Sequence, residues 1–112
     1  MTRREPQPQP NDLNRIVSNV VALTQRDLQE RGIGLRLELS PVPVQALVDR
    51  VAVEQVVHNL VRNAAEAIES GVDGRREITL ATGATGGEVE IAVSDTGPGI
   101  AEADMARLFE PF

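Results

Sequence analysis

A chain of 112 residues is one domain at most, long enough to bury roughly two thirds of its unfolded surface. Its net charge of −6 argues against a nucleic-acid or anionic-membrane binder, and without cysteine it can form neither a disulfide nor a thiolate metal site. Aromatics make up 2% of the chain against 41% hydrophobic residues, so its core must be built from Val, Leu, Ile and Ala.

Residues 1–11 are rich in Pro and Gln with no apolar period, and read as an extended linker or a cloning remnant. Asn11 or Asp12 is placed to cap a helix. Leu13, Ile16, Val17, Val20, Leu23 or Thr24, and Leu28 then carry the helical period to about Arg31, and Gly32 and Gly34 end it. Leu35, Leu37 and Leu39 alternate with Arg36, Glu38 and Ser40, the pattern of a half-buried strand, which Pro41 and Pro43 stop. Residues 45–49 are a short extended piece, with Asp49 in position to cap a long helix over 50–70 that halts at Gly71. Two short strands follow at 77–82 and 88–94, joined through a hairpin connection at 83–87. Residues 101–108 fit one or two helical turns. No internal repeat is evident.

The long helix is the informative element. Val53, Val56, Val57, Leu60, Ala64 and Ile68 mark a buried face, and Asn59 and Asn63 stack one turn apart beside it. At about 100° per residue the asparagine stripe lies roughly 90–120° round from the centre of that face, at the rim of a pocket. Two middling helix formers on one stripe need a reason, although a pair of solvated amides would look the same. A second motif, Asp95-Thr96-Gly97-Pro98-Gly99-Ile100, follows the alternating run Val89, Ile91, Val93. A carboxylate at a strand end, followed by two glycines, lets a backbone approach a flat ligand closely; alone, the motif could be a plain turn.

Together with Leu108-Phe109-Glu110-Pro111-Phe112 downstream, these motifs resemble the ATP-binding domain of sensor histidine kinases, in the superfamily that also holds DNA gyrase, MutL and the large heat-shock chaperones. The resemblance implies an α+β fold, a two-layer α/β sandwich of the Bergerat type: a mixed sheet with helices on one face, incomplete at its C-terminal end. It covers residues 12–112, as the N-terminal two thirds of such a domain.

The chemistry of each residue type agrees with that resemblance. Magnesium takes oxygen ligands in a tight octahedron and is usually shared with substrate phosphates, so a neutral amide oxygen suffices where a triphosphate brings the charge. By resemblance Asn63 holds magnesium and Asn59 lies near the phosphates. Asp95 reads adenine, whose exocyclic amine attracts a carboxylate where the guanine carbonyl repels it. Gly97 and Gly99 let the main chain pass beside the base, and Ile100 packs on its face. Phe109 and Phe112 pack at the root of a lid; Phe109 as an ordinary core aromatic is compatible with this. The cofactors implied are ATP and Mg2+.

Residue 59 separates kinase from hydrolase. Relatives that split ATP with water carry a Glu there as general base, whereas a neutral imidazole is already nucleophilic near pH 7. Asn59 therefore favours transfer to histidine and disfavours an ATPase or serine kinase. One departure stands out: Glu66 occupies a position where many histidine kinases have a phosphate-reaching Lys. The pattern over 63–67 looks instead like the branch that includes nitrogen- and oxygen-responsive kinases, and a phosphate-binding cation must then come from Arg62, from a lid, or from another domain. His58, the only histidine, projects about 100° from Asn59 and reads as a surface or interface residue, since the family's acceptor lies on a separate dimerisation domain.

The expected partners are that dimerisation domain and a response regulator, with self-association through an open sheet edge. No run reaches membrane-spanning length and no secretory apolar region follows Met1, so the expected location is cytoplasmic, under a parent protein that can still be membrane-anchored. Lacking the lid and the closing strands, the chain is expected to bind nucleotide weakly and not to autophosphorylate. A non-catalytic, truncated interaction module of the same fold is the alternative.

Overall fold

The computed structural model describes residues 5–71 and 76–95 together with the backbone of 103–109. Its elements in chain order are β1 (Gln9–Asp12), α1 (Leu13–Glu30), β2 (Gly34–Glu38), β3 (Gln45–Val48), α2 (Arg50–Glu69), β4 (Glu77–Thr85), β5 (Glu88–Asp95) and β6 (Ala103–Phe109). A mixed sheet in the order β2-β4-β5-β6 carries both helices on one face, and β1 pairs with β3 in a separate antiparallel ladder. This is the helices-on-one-face architecture expected of the sequence.

Both helices begin on an aspartate. The Asp12 carboxylate accepts from the Asn14 amide, and that of Asp49 accepts from the amides of Val51 and Ala52, each filling donors that a first helical turn leaves open. α1 ends where the sequence demands it. Gly32 takes a positive φ of 71°, the Ile33 amide reaches back to the Leu28 carbonyl at 2.8 Å, and both side chains are buried, which locks the chain's exit toward β2.

The core is aliphatic, as composition required. Leu13, Ile16, Val17 and Val20 of α1 pack with Val57 and Val61 of α2 over Ile78, Leu80, Ile91 and Val93 of the sheet. Each such side chain contributes roughly 1.5–3 kcal/mol by leaving water. In α1 the choice between Leu23 and Thr24 falls to Thr24, which is buried and donates its hydroxyl to the Val20 carbonyl; Leu23 stays 78% exposed.

Three sequence expectations are corrected. The buried face of α2 is Val53, Val57, Val61, Ala64, Ala65 and Ile68; Val56 is 41% exposed and Leu60 only half-buried. Helical period cannot say on which side a second helix will lie, and α1 covers the Val61–Ala65 flank. The strands of the hairpin are longer than read, because a Gly86-Gly87 turn with φ of 60° and 81° lets the pairing run out to Thr85 opposite Glu88. Residues 103–109 form a strand rather than helical turns. They pair antiparallel with β5, with an irregularity between Val89 and Glu90, and so cover one edge of that strand. Its unpaired backbone groups outweigh the helix-favouring composition of the segment.

The loop after β2 is held without a ladder. The Asn14 side-chain amide donates to the carbonyls of Ser40 and Val42 at 3.0 and 3.2 Å, the Ser40 amide donates to the Thr82 hydroxyl, and that hydroxyl in turn donates to Asn14 Oδ1. The backbone groups that Pro41 and Pro43 keep out of the sheet are thus partly satisfied by two side chains.

Candidate functional site

α2 packs mainly on β5 and touches β6, while α1 lies over β2 and β4. The helix therefore has one flank toward α1 and one toward the β6 side of the sheet. Around the observed buried face, Asn63 sits about 135° from the centre on the flank away from α1, with Val56, Leu60 and Ala67; Asn59 sits nearer the outermost line. Both asparagines are exposed.

Asp95 is the last residue of β5 and stands opposite Ile78. It is half-buried, and the alternation that turns Val89, Ile91 and Val93 toward the helices turns Asp95 to the same face. Strand and helix are thus in contact, with the carboxylate and the Asn63 flank on one side of the sheet. Gly97, Gly99, Ile100 and Phe112 lie outside the described residues, as does the side chain of Phe109.

The opposite flank of α2 holds what sequence reasoning placed only loosely. His58 and Leu23 line two adjoining clefts between the helices, one of about 300 Å³ bordered by Asp27, Arg31, Arg62 and Glu66, the other of about 490 Å³ bordered by Val51, Glu54 and Asn59. His58 is half-buried there, as an interface residue would be. Arg62 and Glu66 face α1 in the smaller cleft, so Arg62 points away from the Asn63 flank. Helical angle alone could have indicated this, had the side taken by α1 been known.

The donor chemistry fits a metal that arrives with its own ligands. Among the described residues no three His, Cys, Asp or Glu side chains gather in a group able to hold an ion. A single amide oxygen at Asn63 is what an ion already bound to phosphates and water can use. No helix among the described residues is long and apolar enough to cross a membrane.

Comparison with known proteins agrees with this fold. The profile of the family described as histidine kinase-, DNA gyrase B-, and HSP90-like ATPase matches residues 48–112. The C4-dicarboxylate transport sensor protein DctB of Rhizobium meliloti is 36% identical over 103 residues, which cover 92% of this chain and 16% of that protein. DctS of Rhodobacter capsulatus is 37% identical over 112 residues, 98% of this chain and 17% of that one. The chain thus spans about a sixth of the length of these relatives. Among solved structures, the catalytic domain of histidine kinase ThkA superposes with a TM-score of 0.73 at 25% identity, over 84% of this chain and 62% of that one. The histidine kinase domain of the E. coli osmosensor EnvZ gives a TM-score of 0.65 at 25% identity, over 90% and 56% of the two chains.

Proposed function

Because this chain belongs to the histidine kinase-, DNA gyrase B-, and HSP90-like ATPase family and is homologous to the ATP-binding catalytic domains of sensor histidine kinases, we propose that it positions a magnesium-bound ATP for transfer of the γ-phosphoryl group to a histidine on a separate dimerisation domain. A response regulator then receives the group. The observation that carries this reading is the shared side of Asn63 and Asp95: an exposed amide on α2, and a carboxylate ending the strand beneath that helix.

The residues divide the work by chemistry. Asn63 offers its amide oxygen as one ligand of the magnesium, which when bound neutralises charge on the phosphates. Asp95 accepts a hydrogen bond from the adenine amine and repels a guanine carbonyl, a charge-assisted contact worth about 1.5–3 kcal/mol. Asn59, exposed on the same helix, orients phosphate oxygens and takes no proton. None is needed, since a neutral imidazole is already a nucleophile. Gly97 and Gly99 give the base close access to the main chain, and Ile100 packs on it. Phe109 and Phe112 anchor a lid. With Arg62 turned toward α1 and Glu66 acidic, the cation facing the phosphates comes from another segment or another domain.

A nitrogen–proton correlation titration tests this at affinities too weak for calorimetry. Millimolar Mg·ATP should shift the amides around Asn59, Asn63 and Asp95, and Mg·GTP should not. Asp95→Asn should erase the difference between the two. Equal shifts from ATP and GTP in the parent protein, or shifts gathered at the smaller cleft bordered by Asp27, Arg31, Arg62 and Glu66, would sink the assignment.

A further inference from the structure

The segment before α1 does more than lead into it. β1 lies antiparallel on β3, with Gln9 opposite Val48 and Asp12 opposite Gln45, and β3 runs directly into Asp49, the cap of α2. The chain just before β1 touches that cap as well. The backbone amide of Gln7 donates to Asp49 Oδ2 at 3.0 Å, while Asp49 Oδ1 accepts from Val51 and Ala52. Asn11 spans the ladder with its side-chain amide, donating to the carbonyls of Gln9 and Val48, each at 3.1 Å. At the other end Asp12 Oδ1 accepts from the amides of both Asn14 and Val44, joining the start of α1 to the residue just before β3.

We infer that residues 7–12 form a strap that couples the position of the incoming chain to the first turn of α2. One carboxylate is shared: Asp49 holds the helix start with one oxygen and the strap with the other. Drawing the strap aside removes the Gln7 contact from the carboxylate that caps Val51 and Ala52, so the first turn loses part of what orients its cap. Asn59 stands ten residues further along, about 15 Å at 1.5 Å per residue, so a disturbance at the cap enters the helix that carries both asparagines. Coupling of this kind is reciprocal: loosening the cap must loosen the strap. The hydrogen bonds that make the strap are independent of what binds on α2, so this inference stands or falls separately from the nucleotide reading.

Amide hydrogen exchange on the full chain, without nucleotide, tests it. Gln7→Pro removes one backbone donor at an exposed position and leaves the fold otherwise intact. It should speed exchange at Val51 and Ala52 about threefold, and Asn11→Ala should act in the same direction, with the middle of α1 unchanged. Asp49→Ala should speed the same amides about fivefold to tenfold, and also those of Gln9 and Asn11. Parental rates at Val51 and Ala52 in Gln7→Pro would overturn the coupling. So would a uniform rise across both helices and the sheet, which would report a general loss of stability.

Discussion

Along α2, the flank that meets α1 and the flank that faces away differ in how their residues are covered. Toward α1, Val61 and Ala65 are buried, and polar ties fasten the two helices near either end: Asn19 donates to Glu54 at 3.0 Å, and Arg31 stands 3.6 Å from Glu69. Away from α1, Val56 is exposed and Leu60 half-covered, beside the exposed Asn63, while Asn59 stands on the outer line of the helix and borders the larger cleft toward α1. A valine left in water next to amides does little for stability. The comparison teaches that the two flanks of a single helix can differ sharply in cover, and that its hydrophobic period does not say which flank a neighbour will take.

Substitutions on the buried face and on the outer flank should separate cleanly. Ile68→Ala, at a buried position, should lower unfolding free energy by about 2–4 kcal/mol in urea titrations, whereas Val56→Ala should stay within about 0.5 kcal/mol. Comparable losses from both would mean that the outer flank is packed after all. Glu69→Gln, which breaks the tie to Arg31 at a part-exposed site, should cost less than about 0.5 kcal/mol and nothing measurable in molar salt. Smallest of all on stability is Asn63→Ala, indistinguishable from the parent in the same titration. Yet it should abolish the amide shifts induced by Mg·ATP. A variant that loses stability and nucleotide response together would blur the line between the two flanks.

Much of this was legible in the residue pattern, and the failures share a cause. Asp12 and Asp49 as caps, Gly32 as the end of α1, and the alternation of β4 and β5 are local chemistry, and local chemistry is what a sequence displays. Val56 against Val61, and Leu23 against Thr24, were decided by where a distant element packs, and Thr24 won a buried place by bonding its own helix. For 103–109 the intrinsic preference of Ala, Met, Arg and Leu for helix gave way to an edge of β5 that needed partners. The candidate site was legible because its residues break the rules of their elements: amides on a helix flank, an acid closing an apolar strand. Their common side of the sheet was not, since it depends on α2 lying over β5.

The parallel pairing of β2 with β4 has a kinetic consequence. Gly34 meets Glu77 across an intervening loop, strand and helix, whereas β4 and β5 meet through a two-residue turn. Hairpins close in roughly 1–10 μs, but a parallel pair must wait for its crossover to be laid down. In a chain emerging from the ribosome, β2 is made early and docks late, with Leu35 exposed to water in the interval. Substitutions at Leu35 should therefore speed unfolding and leave the refolding rate nearly untouched.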